Sequence, residues 1–172
     1  MDVRFPIGQL EVPESISLDD IQTWLEDIDG FTARLSETVT ALDDTDLEKT
    51  YREGAWTVRQ LVHHIADSQL NMYQRLKLAL TNDGVSLPEF DQNHWAQLPD
   101  NQAPIHVSLD LIKSLNARIV VLGRGLQSHQ LQNQFLLEGK EAVSVGETIA
   151  KLSWHANHHH AHIKVALGEK IQ

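Results

Sequence analysis

Residues 154–162 read WHANHHHAH, which places five histidines within nine positions of an otherwise acidic chain. Imidazole can titrate near neutral pH, or bind a borderline divalent ion as a neutral donor. The run could therefore be a metal site, a proton relay or ordinary solvated surface. An expression tag fits poorly, because the run is broken by Ala156, Asn157 and Ala161 and continues into helical sequence. A further pair, His63 and His64, lies in AWTVRQLVHHIADSQLN. The chain has no cysteine. Thiolate-ligated metal, a disulfide scaffold and a protein-borne catalytic thiol are all excluded, and any thiol chemistry must use a thiol brought by a substrate.

Helical geometry sorts these histidines. With His155 at zero and about 100° per residue, Val145, Ile149, Leu152, Ala156, Ile163 and Leu167 fall at roughly 60–120°, which marks the core face. His159 lies at about 40°, so His155 and His159 sit on its shoulder, one turn apart. His162 falls near −20° and His158 near −60°, further outward, with His160 on a flank at about 140°. On the earlier helix, Val58, Leu61, Ile65, Met72 and Leu76 mark the core, and His64 again takes the shoulder. Ser68 and then Asn71 or Arg75 continue that shoulder. His63, at about −100° from His64, is expected to face water. A single histidine on a core shoulder is usually just a hydrogen-bonded core residue. The combination carries more: two imidazoles one turn apart and a third from a facing helix make a three-nitrogen face suited to zinc or nickel, with positions left open for water or substrate.

The elements that must position these residues are mostly helical. Residues 1–16 read as an extended arm broken by Pro6, Gly8 and Pro13. Ser17 to Asp20 matches a capping box, and apolar spacing predicts a helix from Ile21 to Leu42 with Gly30 as a mild blemish. Residues 43–54 look turn-like. A second helix is expected over Ala55–Thr81, then a long, mostly irregular connection over 82–107 that holds Gly84, Pro88, Pro99 and Pro104. A loop of that length in a compact domain usually lines a site. Ser108 is expected to cap a third helix ending near Gly123 and Gly125. QFLLEGKEAVSV (134–145) suggests a hairpin. A fourth helix follows from about Glu147 to Leu167. The expected fold is all-α: one domain over residues 1–172, an up-down four-helix bundle with one long crossover and a small hairpin before the last helix.

The bulk properties narrow the partners. The 172 residues suffice for one domain with a real core, and 41% are hydrophobic. A formal net charge of −10, with scattered lysines and arginines, argues against nucleic acid or an anionic membrane surface. The N-terminal MDVRFPIGQLEVPES lacks the apolar run of a signal peptide, which points to the cytoplasm.

Three stretches together resemble the DinB/YfiT-like superfamily, in particular its YfiT branch of metal-dependent hydrolases, related to the bacillithiol transferases. They are FPIGQLEVPESIS (Phe5–Ser17), YREGAWTVRQLVHHIADSQLN (Tyr51–Asn71) and WHANHHHAHI (Trp154–Ile163). The resemblance implies a four-helix bundle with one divalent ion per subunit, held by His64, His155 and His159. It also implies a cytoplasmic homodimer acting on a small molecule, either by hydrolysis or by transfer of a low-molecular-weight thiol. A non-enzymatic metal-binding stress-response module is the alternative. Asp67, Ser68, Asn71, His158 and His162 are candidates for supporting or substrate contacts, and Tyr51, Arg52 and Trp56 for the mouth of the site. No glutamate stands in an HExxH arrangement, so the usual hydrolytic base is missing and thiol transfer is favoured. One departure stands at Asn157, where relatives often carry histidine.

Overall fold

The computed structural model describes residues 2–138 and 140–169. Helix α1 spans Leu18–Val39, α2 Asp44–Leu47, α3 Val58–Thr81, α4 Gln92–Trp95, α5 Ile105–Arg124 and α6 Val145–Ala166. The four long helices form the bundle. α1 packs against α5 and α6, and α3 packs against the same two. The shared face of α3 and α6 is where the histidine-bearing shoulders meet.

Local chemistry explains most boundaries. At α1 the Ser17 hydroxyl accepts from the Asp20 N–H, and the Asp20 carboxylate accepts from the Ser17 N–H at 2.8 Å. The helix runs through Gly30 but stops at Val39, short of Leu42. α3 starts three residues later than Ala55, because Thr57 and Gln60 close a capping box there. α6 starts slightly earlier than expected, behind a third such box between Ser144 and Glu147. The role assigned to Ser108 is corrected. α5 begins at Ile105 after Pro104, whose fixed φ suits a helix entry, so Ser108 lies inside the first turn and is buried.

The expected core faces are buried, except for Leu167, which lies past the end of α6 and is half-buried. On α3 these are Val58, Leu61, Ile65, Met72 and Leu76; on α6 they are Val145, Ile149, Leu152, Ala156 and Ile163. α5 ends at Arg124, near Gly123 and Gly125 as expected, and Gly123 is also a packing residue. A Cβ there would meet the Leu25 side chain at 2.6 Å, so its lack of side chain sets how closely α5 approaches α1. Gly125 caps the helix.

The hairpin is present as β2 Gln134–Leu137 antiparallel to β3 Ala142–Ser144. The connection over 82–107 is more ordered than expected. Its β1, Val85–Leu87, adds to β2 in parallel and completes a three-stranded sheet. It then forms α4 and a 3-10 turn at Pro99–Gln102. Three residues are too few to show a periodicity, and their pairing partner lies about fifty positions away. No helix among the described residues is long and apolar enough to cross a membrane.

Candidate metal centre

α3 and α6 bring His64, His155 and His159 together. His155 Nε2 lies 3.3 Å from His64 Nε2 and 3.2 Å from His159 Nε2, and the three donor atoms lie within 4.8 Å of one another. Zinc–imidazole bonds of about 2.0–2.1 Å at tetrahedral angles separate neighbouring nitrogens by about 3.3–3.4 Å. The spacing, and a donor set made only of neutral imidazoles, therefore fit one divalent ion. His64 is buried; His155 and His159 are half-buried and open on a cavity of about 710 Å³.

Desolvation keeps these rings neutral. Burial lowers the pKa of His64 to about 4. His155 and His159 are held well below the ordinary histidine value, first by desolvation and then by the neighbouring imidazoles. A neutral ring is the form that donates to a metal.

Hydrogen bonds fix the tautomer of one member. His162 Nε2 lies 3.1 Å from the Val3 carbonyl, which can only accept, so Nε2 carries the proton. Nδ1 of the neutral His162 ring is then an acceptor, and His159 Nδ1–H donates to it across 3.3 Å. That leaves the His159 Nε2 lone pair facing His155 and His64. Tyr51 stacks on His162 with ring centres 4.0 Å apart and an interplanar angle of 17°, which holds the relay in place. His158, His159 and His162 also form a close triplet. Since His162 and His159 spend their Nδ1 atoms on each other, this triplet is a support chain and not a second donor set.

Three outward placements are corrected here. His158 and His162 are buried, at 7% and 2% exposure. Their angular positions leave the bundle core, but His158 stacks on Trp154 and meets Phe5, and His162 is covered by Tyr51 and the N-terminal arm. His63 does not face water either, at 5% exposure. Its Nε2–H donates to the Ala103 carbonyl at 3.0 Å, and the Ser108 hydroxyl donates to its Nδ1 at 2.7 Å. The connection over 82–107 folds back over that face of α3, which a helical projection of α3 alone does not contain. His160 also turns away from the cluster, toward α1, where Nε2 meets Thr38 Oγ1 at 2.8 Å.

The remaining candidates divide. Ser68, Asn71 and His158 line the cavity with His155 and His159. The Ser68 hydroxyl also lies 3.3 Å from His64 Nε2. Asp67 is not brought to the cavity; burial and the charge of Asp100 raise its pKa to about 6. Trp56 packs on His64 at 4.5 Å between ring centres, and Arg52 lies over the Tyr51 ring. Asn157 faces α1 instead, donating to Asp27 at 2.6 Å. Sequence reasoning missed Phe90, which lies parallel to His64 at 6.1 Å, and the Val3 carbonyl. The length of the 82–107 connection was the one signal for Phe90. A backbone carbonyl has no sequence signal.

A helical bundle whose two facing helices bring three neutral imidazoles together beside a side cavity is a scaffold able to hold a metal ion next to a small molecule. The chain belongs to the DinB superfamily, whose pattern matches residues 27–163. It is 54% identical over 167 residues to a "putative metal-dependent hydrolase" of Oceanobacillus iheyensis, covering 97% of this chain and 96% of that one. A relative of the same description in Halalkalibacterium halodurans is 44% identical, covering 97% and 98%. Among solved structures it is similar to YfiT from Bacillus subtilis, described as "a probable metal-dependent hydrolase with an unusual four-helix bundle topology". That match has a TM-score of 0.92 at 33% identity and covers 98% and 99% of the two chains. The fold is also shared with a mycothiol-dependent maleylpyruvate isomerase, at TM-score 0.61 and 18% identity over 83% of this chain and 62% of that one.

Proposed function

We propose that this protein is a metal-dependent enzyme in which His64, His155 and His159 hold one divalent ion, zinc or nickel, beside a cavity for a small-molecule substrate. The observation that carries the reading is the convergence of three imidazoles beside the cavity: His155 Nε2 lies 3.2–3.3 Å from the Nε2 atoms of His159 and His64, and all three donor atoms lie within 4.8 Å of one another. Such an ion supplies Lewis acidity, which lowers the pKa of a coordinated water or thiol toward neutrality. The chain's own residues do the rest. His162 and the Val3 carbonyl orient His159, and Trp56 and Phe90 pack on His64 and limit water. Ser68 and Asn71 offer hydrogen bonds to a bound molecule from α3.

Between hydrolysis and thiol transfer, the supply of bases favours transfer. The cavity's carboxylates among the described residues are Glu89 and Asp91; Glu89 is paired with Lys140, and Asp91 with His94. Neither carboxylate is unpaired, and the remaining candidate base on the wall, the neutral ring of His158, has its pKa lowered to about 4 and so is a weak one. A thiol deprotonated near neutrality is intrinsically a stronger nucleophile than a metal-bound hydroxide and has no later need of a carboxylate to shuttle its proton. A cytoplasmic homodimer belongs to the same reading, supported by the family resemblance.

The test is metal analysis of untagged protein beside His64→Ala, His155→Ala and His159→Ala, followed by assays with thiol–electrophile pairs and with hydrolysable esters and amides. Wild type is expected to hold about one equivalent of transition metal and each variant less than about a tenth. Turnover is expected with thiols and to disappear with the metal. No stoichiometric metal in wild type would overturn the reading; full metal binding with no turnover would leave a metal-binding module.

A further inference from the structure

We infer that Arg75 and Lys151 form an anion-binding subsite in the cavity, which anchors the carboxylate or phosphate group of the substrate about one helical turn from the histidine cluster. What the anchored molecule does rests on the reading of the cluster as a metal centre. The anion site itself stands on separate residues.

The cavity wall carries three cations, Arg75, Lys140 and Lys151, and two carboxylates, Glu89 and Asp91. Pairing sorts them. Lys140 Nζ meets Glu89 Oε1 at 2.5 Å. Asp91 caps α4, and its two oxygens accept from the His94 backbone N–H and face His94 Nδ1. Arg75 and Lys151 have no ion pair within 4 Å among the described residues. They approach the cavity from facing helices, Arg75 on α3 and Lys151 on α6, and are left without a counter-ion.

Arg75 is half-buried, whereas Lys151 stays exposed at the cavity mouth. Lys151 is partly desolvated and feels Arg75 and Lys140, both of like charge, which lowers its pKa. Desolvation also acts on Arg75, with only Glu89 opposing it. Two cations on one cavity wall repel each other, and a bound anion relieves that repulsion. The guanidinium of Arg75 lies over the Phe135 ring, 5.8 Å from its centre. The wall is thus locally positive in a chain of net charge −10. A concave wall of this sign attracts anions that the rest of the surface repels. Asn71, Gln92 and Asn93 line the same cavity and add neutral hydrogen-bond donors.

The placement defines the ligand. Lys151 precedes His155 by four residues, about 6 Å along α6. The cavity, about 710 Å³, suits a small molecule. The substrate class is therefore a small molecule with a carboxylate or phosphate at one end and its reacting thiol or electrophilic carbon at the other.

The experiment uses full-length protein stripped of metal. Sodium succinate and, separately, sodium phosphate are titrated at constant ionic strength while the indole N–H NMR signal of Trp154, which lines the cavity, is followed. A saturable shift with at least one of the two is expected, and the tighter arm identifies the oxyanion. Arg75→Gln and Lys151→Gln should each weaken binding at least ~10-fold, the double variant should show no saturation, and Arg75→Lys should keep most of it. His64→Ala should bind the anion as wild type does. No saturable shift with either salt, or undiminished binding in the double variant, overturns the proposal. Failure of the metal reading looks different: protein without stoichiometric metal that still binds the anion.

Discussion

His63 and His64 are adjacent, both buried, and differ in what they do. His64 aims Nε2 at two other imidazoles, whereas His63 has both nitrogens committed, to Ala103 and Ser108. One residue is a rotation of about 100° around a helix, enough to move a ring from the α6 side to the α5 side. The inward tilt of His64, His155 and His159 was legible from spacing. The partners of His63 and His162 were not, since both lie far along the chain. At this scale we predict that His162→Ala weakens zinc affinity by about 10–100-fold, measured by chelator competition, because His159 loses the acceptor that sets its tautomer. His63→Ala should leave that affinity within about 3-fold yet lower stability by roughly 2–4 kcal/mol in urea unfolding, because it strands a buried hydroxyl and a carbonyl.

The long helices were readable as elements because each carries its own start signal and an apolar stripe. Ser17–Asp20, Thr57–Gln60 and Ser144–Glu147 each close a capping box, although only the first was read from the sequence. What failed was the inference from a single helix to its surroundings. The outward face of α6 holds His158 and His162, and residues outside the bundle cover it. Gly123 illustrates the same point: it marks the end of the helix, and it is also a close contact of α5 with Leu25 of α1, which the sequence of α5 alone does not record. Gly123→Ala should therefore destabilise the fold by about 1–3 kcal/mol despite the better helix propensity of alanine, because the new methyl meets the buried Leu25 side chain. Chemical denaturation of the two proteins side by side measures this, and a stabilised variant would refute it.

For the molecule as a whole, burying so many neutral histidines couples folding to pH. His64, His158 and His160 have pKa values lowered to about 4, and those of His63, His155, His159 and His162 are lowered too. Between about pH 4 and the unfolded value of 6.5, the unfolded chain binds more protons than the folded one, so stability falls as pH drops through that window. Above 6.5 these rings are neutral in both states and contribute no slope. Asp67, raised to about 6, acts in the opposite sense between 3.8 and 6, but it is a single group. Metal-free protein is expected to lose thermal stability steadily from pH 7 to pH 5, with uptake of more than one proton per chain on unfolding, as seen by calorimetry in buffers of different ionisation enthalpy. A melting temperature that stays flat over that range would contradict the buried, neutral state of the cluster.

The amino-acid sequence alone determined the helices, their core faces, the hairpin and the inward tilt of three histidines, because periodicity and capping act over a few neighbouring residues. Only the tertiary structure decided which other histidines are buried, which hydrogen bonds set their tautomers, that residues 85–87 join the hairpin, and that Arg75 and Lys151 share a cavity. Those outcomes depend on surfaces supplied by segments up to 159 residues away, as between His162 and Val3, and no local pattern records what will come to cover a given face.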